Sequence, residues 1–210
     1  MVPAFNEGDT IGEVVQGYLE VSPVIVVDDG SQDDTAQLAA TGGALVVKHK
    51  NNEGYDSAIL SGLLAASKRG FKVVVTADAD GQHSSVDILS VGNLVSENYP
   101  LAIGIRPNFQ RFGEVVFSKL TQCIYGLKDP LCGMKAYYVP MVIPLVSEPP
   151  GDSIGTLVLA RALGAGLRFK QVPIGISERR DCPRIANGIF GNWKIFVATC
   201  IFFLKSRNDD

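Results

Sequence analysis

The 210-residue sequence is poor in the residues that staple small or metal-bound folds: it has four cysteines and two histidines. Cys123, Cys132, Cys182 and Cys200 show no C-x-x-C pair and no metal-ligand spacing, which argues against a disulfide scaffold or a structural zinc site and for reduced, buried thiols. Positive charge is not in excess either. Nineteen basic against 22 acidic residues leave a formal charge of −3, which excludes a general nucleic-acid binder with a phosphate-neutralising stripe. No G-x-G-x-x-G follows the first apolar run and no G-x-x-x-x-G-K-[ST] occurs anywhere, so the two common nucleotide-phosphate fingerprints are missing. The apolar stretch Ile195–Leu204 falls far short of the roughly 20 residues needed to span a bilayer. No basic-then-apolar leader opens the chain, and a cytoplasmic protein is expected, with or without a peripheral contact at the inner face of a membrane.

What is present is an ordinary folding composition, 46% hydrophobic and 20% charged, in a chain long enough for one α/β domain. Strand-like runs at Val2–Phe5, Val24–Asp28, Ala44–Lys48, Lys72–Ala77 and Leu101–Ile105 alternate with helix-period segments at Thr10–Glu20, Asp33–Ala40, Ser57–Arg69 and Ser85–Glu97. This predicts βαβ units and a mainly parallel, Rossmann-like sheet flanked by helices. Beyond it, helices are expected at Phe112–Tyr125 and Gly155–Leu163, with extended segments at Met134–Tyr138 and Arg168–Ile174. A single domain is expected, with residues 1–106 as one half, 107–188 as the other and an apolar helix in 189–210. Ligands of such sheets sit at the carboxyl edge, where loop amides and helix amino termini point.

Three polar loops stand at that edge. Asp78 and Asp80, in Thr76-Ala-Asp-Ala-Asp-Gly-Gln-His83, share a side if the chain stays extended, because side chains alternate with period two. Such a pair suits Mg²⁺ or Mn²⁺ held jointly with substrate phosphates, with Gln82 as a further oxygen ligand; the same residues also suit a plain turn. Asp28 and Asp29 follow the second strand, where they can accept hydrogen bonds from a nucleobase or ribose, while Ser31, Asp33 and Thr35 suit helix capping. In the loop Lys50–Asp56, Gly54 lets a ligand approach the backbone. His49 ends a strand and His83 follows the Asp pair, and neither reads as a base.

Taken together, Val2-Pro-Ala-Phe-Asn-Glu7, Val26-Val-Asp-Asp-Gly-Ser31, Asn52-Glu-Gly-Tyr55 with Ala58, and Asp78-Ala-Asp-Gly-Gln-His83 resemble, in order and position, the inverting family 2 glycosyltransferases of GT-A fold. The dolichyl- and polyprenyl-phosphate sugar transferases are the most similar members. The match is close over residues 1–106 and looser beyond. The resemblance implies that Pro3, Ala4, Glu7 and Asp29 line the base and ribose pocket of a nucleotide-diphospho-sugar donor, with Asn52, Gly54 and Ala79 beside it. It implies that Asp78, Asp80 and Gln82 hold a divalent metal on the diphosphate, and that Arg106, in Gly104-Ile-Arg106, contacts phosphate. Asp129-Pro-Leu-Cys-Gly-Met134 resembles the segment beside donor sugar and acceptor. Gln171-Val-Pro-Ile174 followed by Arg179, Arg180 and Arg184 resembles a strand and Arg-rich loop that close on the diphosphate; a solvated basic loop is the plainer reading.

The sequence departs from the family where an acceptor base is expected. Members that glycosylate hydroxyls need a carboxylate to take the acceptor proton. Only Asp152, in Pro149-Pro-Gly-Asp152, stands nearby, and it equally suits capping of the following helix. A phosphate acceptor needs no base, so a polyprenyl phosphate is favoured. A saccharide hydroxyl in cell-surface glycan assembly and a nucleotide-binding subunit without catalysis are the alternatives. The glutamate that lipid-phosphate transferases carry in that helix is absent, with Thr156 and Leu157 nearby. In Ile189–Leu204, Phe190, Trp193, Phe196, Phe202 and Phe203 either line one side of a membrane-surface helix or belong to the core. The first strand also starts abruptly, and further strand residues before Met1 are an expectation of the resemblance.

Overall fold

The computed structural model describes residues 1–146, 154–177 and 189–206, with residues 189 and 190 described by backbone alone. The β-branched runs that end in polar loops become β1 (Val2–Ala4), β2 (Ile25–Asp28) and β3 (Leu45–Lys48), which pair in parallel in that order. A second set, β4 (Val73–Thr76), β5 (Leu101–Ile105), β6 (Lys135–Tyr138) and β7 (Phe169–Pro173), is ordered β4-β6-β5-β7. Met1 joins the two sets. Its amino group donates to the Val75 carbonyl at 2.8 Å and its carbonyl accepts from the Ala77 N–H at 3.1 Å, the slanted pattern of a parallel pair. The continuous order is therefore β3-β2-β1-β4-β6-β5-β7. β6 runs antiparallel to both neighbours, while β5 and β7 are parallel. The sheet is mainly parallel, as the alternating pattern predicts, with β6 inserted the other way.

Helices α1 (Ile11–Leu19), α2 (Thr35–Thr41), α3 (Tyr55–Lys68), α4 (Ser85–Gly92) and α5 (Phe112–Tyr125) follow the first strands, and α6 (Val139–Val142), α7 (Leu157–Gly164) and α8 (Ile189–Lys205) follow β6 and β7. α4 begins where expected, because Ser84 caps it by accepting from the Asp87 N–H at 3.1 Å. It ends well before Glu97. Asn93 closes it, and the chain turns into an isolated bridge between Ser96 and Tyr99; half-buried Leu94 and Val95 prolong the apolar rhythm without prolonging the helix.

The core lies on both sides of the central strands, with Val2, Val26 and Val27 fully buried. A second knot of aromatics, Phe117, Tyr125, Phe202 and Phe203, binds α8 to α5, with Phe117 and Phe202 edge-on at 5.3 Å. The aromatics of the last helix therefore do not share one side. Phe202 is buried and Phe203 half-buried, whereas Trp193 and Phe196 are exposed, because nine residues at about 100° each carry Phe202 to the opposite face from Trp193. The Phe190 side chain lies outside what is described. The expected burial of the thiols holds for Cys132, but Cys123 and Cys200 are exposed, since the helical phase places them on the outer faces of α5 and α8. Cys182 lies outside the described residues.

Candidate active site

Four strand ends, those of β1, β2, β3 and β4, deliver the motif loops to one edge, and side chains lace those loops together. In the β1 loop, Asn6 adopts a left-handed φ of 51°, a conformation asparagine tolerates better than most residues. Its N–H donates to Ser31 Oγ at 2.8 Å, its own Oδ1 accepts from the Gln32 N–H at 2.8 Å, and Glu7 and Gly8 donate to Thr35 Oγ1 and Asp33 Oδ2. Ser31 and Thr35 thus bind the neighbouring loop, beyond the helix-capping role their positions suggest, while Asp33 does both, also accepting from the Thr35 N–H at 3.0 Å. Pro3 and Ala4 are buried in β1 and Glu7 is buried behind the loop.

Asp29 is the hub of the next junction. Its carboxylate accepts from the backbone N–H groups of Glu53 and Gly54, each at 2.9 Å, and lies 2.7 Å from His49 Nδ1. The other ring nitrogen of His49, Nε2, lies 2.8 Å from Ser61 Oγ. Asp29 therefore holds the Asn52–Gly54 turn in place, with Asn52 exposed at its tip. Gly30 makes the junction sterically feasible. Its φ is +77°, and a Cβ there would lie 2.5 Å from the Asn51 carbonyl carbon, closer than any side chain permits. Asp28 sits deeper, with Oδ1 accepting from the Ser31 N–H at 3.1 Å.

Asp78 lies about a third exposed, its Oδ1 accepting from the Tyr55 hydroxyl at 3.0 Å and its Oδ2 3.4 Å from His83 Nε2. Burial pushes this carboxyl up, but the hydrogen bonds from His83 and Tyr55 and the nearby Lys135 charge outweigh it and hold it below the ordinary aspartate range. Asp80 is buried and accepts from the Gln82 N–H at 3.0 Å. Burial first, then the charges of Asp78 and Asp80, raise the Tyr18 phenol. Ala79, between them, is buried. Gln82 turns elsewhere: its amide donates to the Ser177 carbonyl at 3.1 Å, and the Ser177 N–H returns a bond to the Gln82 carbonyl. It thereby ties the Asp loop to the segment after β7.

The donor set at Asp78 and Asp80 is hard oxygen with one ionised, partly open carboxylate, which fits Mg²⁺ or Mn²⁺ and not a thiolate-seeking ion. Among the described residues no three His, Cys, Asp or Glu side chains converge, so a cation held here would complete its shell with phosphate oxygens and water.

Arg106 is paired within the chain. Its fork is engaged by Asp129, Nε to Oδ2 at 2.8 Å and Nη2 to Oδ1 at 2.9 Å, and Glu114 lies 3.2 Å away. Burial opposes the charge, but Asp129 and Glu114 outweigh it and raise the guanidinium above its ordinary value. Arg106 and Asp129 together pin the Asp129–Met134 segment against β5. That segment passes so close to the Asp loop that a Cβ on Gly133 would stand 2.2 Å from Asp78 Oδ2.

Two side chains that motif reading passes over complete this side. Asp56, on α3, accepts from the N–H groups of Gly155 at 2.7 Å and Leu157 at 3.2 Å, so it caps α7 from ninety-nine residues away. Lys135, buried on β6, donates to the carbonyls of Cys132 and Gly155; burial lowers its pKa against the pull of Cys132, Asp129, Asp78 and Asp56. The polar residue within the Tyr55–Ala58 helix start and a lysine inside a strand run are the only marks either leaves in sequence. Asp152, Arg179, Arg180 and Arg184 lie outside the described residues.

Comparison with known proteins agrees with this geometry. Residues 1–124 match the model of glycosyl transferase family 2. An uncharacterized protein of Methanocaldococcus jannaschii is 31% identical over 83% of this chain and 79% of its own. The polyprenol monophosphomannose synthase of Mycolicibacterium smegmatis is 28% identical over 85% and 77%. Among solved structures, glucosyl-3-phosphoglycerate synthase from Mycobacterium tuberculosis superposes with a TM-score of 0.75 at 22% identity, covering 96% of this chain and 78% of that one.

Proposed function

The chain belongs to glycosyl transferase family 2, and from that premise we propose that it is an inverting, metal-dependent transferase that moves a sugar from a nucleotide-diphospho-sugar to a polyprenyl phosphate. The carrying observation is on the acceptor side. Asp56 and Asp129, two carboxylates described there, are committed to backbone N–H groups and to Arg106. Their oxygens are turned to those partners, so neither is placed to take the proton of an acceptor hydroxyl. A phosphate oxygen is already an anion.

The chain's own residues then act by positioning. The laced loops after β1, β2 and β3 hold base and ribose, Asp29 fixing the turn at Asn52–Gly54. Asp78 and Asp80 would hold the cation, which when bound offsets the charge growing on the departing diphosphate. His83 and Tyr55 keep Asp78 ionised and oriented. In-line attack by the phosphate oxygen forms the new bond on the face opposite the leaving diphosphate, which gives inversion. Relatives support the lipid-phosphate reading: beside the mannose synthase stands a dolichyl-phosphate hexose transferase of Haloferax volcanii, 26% identical over 83% of this chain. A Mycobacterium tuberculosis glucosyl-3-phosphoglycerate synthase structure, of similar fold, is described in complex with Mn²⁺ and UDP-glucose.

The test incubates purified protein with Mn²⁺, a panel of UDP- and GDP-sugars, and either a short polyprenyl phosphate or the matching polyprenol. Transfer to the phosphate alone, lost in Asp80→Ala, is expected. Equal transfer to the polyprenol, or full activity in Asp80→Ala, overturns the reading.

A further inference from the structure

α5 and α8 lie side by side with their amino ends together. Gly113 permits the contact, its N–H donating to Asn192 Oδ1 at 2.9 Å, while a Cβ there would stand 3.2 Å from Ile195. The inner faces are sealed by the aromatic knot, yet the outer faces are also apolar. On α8, Trp193, Phe196, Cys200 and Leu204 are exposed at intervals of three and four, and on α5 so are Phe112, Val116, Leu120 and Ile124 at intervals of four. Trp193 and Phe196 stack at 5.7 Å in the open. Single exposed apolar residues are commonplace, but two adjacent stripes form a contiguous surface of the kind that marks an interaction site.

Its charge identifies the occupant. The exposed charged residues of these two helices are Lys119, Lys194 and Lys205; α8 contains no acidic residue, and Glu114 of α5 is buried. This cationic, aromatic face sits on a chain whose formal charge is −3. A second copy seated on it would set lysines against lysines, whereas an anionic lipid surface complements them. No described helix is long and apolar enough to cross a membrane, so contact is lengthwise. The face also adjoins the site, since Arg111, just before α5, and Glu114, in its first turn, form ion pairs that reach Arg106.

We infer that the joined outer faces of α5 and α8 dock the protein on the surface of an anionic bilayer, with Phe112, Trp193 and Phe196 entering the headgroup region beside the active site. Its consequence for turnover rests on the lipid-phosphate reading; the docking itself does not.

The experiment is vesicle flotation with phosphatidylcholine alone or mixed with phosphatidylglycerol. The protein should float with the mixed vesicles, less as salt rises. A Trp193→Glu/Phe196→Glu variant should lose binding at least tenfold, and Lys194→Gln roughly fivefold, with unchanged near-UV circular dichroism showing intact folds. No flotation of the parent protein, binding undiminished in the double variant, or a concentration-dependent dimer that the double variant abolishes would overturn the inference. In the transfer assay the double variant should keep its rate on a short, soluble polyprenyl phosphate and lose it on a vesicle-embedded one. Vesicle binding without transfer to either acceptor would instead sink the lipid-phosphate reading and leave the docking standing.

Discussion

The loops after β1, β2 and β3 are held by side-chain oxygens that accept from backbone amides of the adjoining loop, whereas the segments beyond Arg106 are held by charged side chains set into the interior. Ser31, Thr35, Asp33 and Asp29 each bind an adjacent loop. Arg106 with Asp129, Asp56 with α7, and Lys135 with the Cys132 and Gly155 carbonyls do the second job. The contrast teaches where a change will be felt. A break in the first region loosens one loop and weakens donor binding; a break in the second strands a charge in the interior and weakens the whole fold.

The largest effect is expected from Asp129→Ala. It leaves the half-buried Arg106 with Glu114 as its remaining described carboxylate, and breaking such a pair costs about 3 kcal/mol, readable as a lowered midpoint in urea denaturation. Gly133→Ala comes next. Its Cβ would drive into the Asp78 carboxylate, and a displacement of that order near the reacting centre costs about 100-fold in kcat/KM. In the first region, Asp29→Asn keeps one acceptor but loses the charge, which should weaken nucleotide binding by about 1 kcal/mol in calorimetry while sparing the denaturation midpoint.

The smallest is a pH effect. Asp78 has its folded pKa held below the ordinary range, so its contribution is present above the unfolded aspartate value and is lost as pH falls through the folded one. Tyr55→Phe removes one of the hydrogen bonds that lower it and should move the acid limb of the kcat/KM profile upward. An unmoved limb would mean that Tyr55 does not tune Asp78.

The same contrast explains what sequence could disclose. The first five strands and the polar loops at their ends are local features, written in runs and turns of a few residues, and the structure places them within a residue or two. Arg106 was legible as a strand-end cation, but its partner lies 23 residues on, and no periodicity announces an ion pair. Asp56 caps a helix across nearly half of the chain, so its role follows from tertiary packing alone. Likewise, the apolar outer face of α5 reads as half of an ordinary amphipathic helix until α8 is laid beside it.

If the four laced strand ends hold a nucleoside diphosphate through a metal on Asp78 and Asp80, nucleotide binding depends on both. Thermal-shift titration with UDP and GDP, with and without Mn²⁺, on the parent protein and Asp80→Ala, tests it most directly. A ligand binding only the native state at a hundredfold excess over Kd adds about 2.7 kcal/mol, or roughly 5 °C or more in Tm for a chain of this size. That shift is expected with Mn²⁺ present, and its loss is expected in Asp80→Ala. An equal shift without metal, or an undiminished one in the variant, would contradict it.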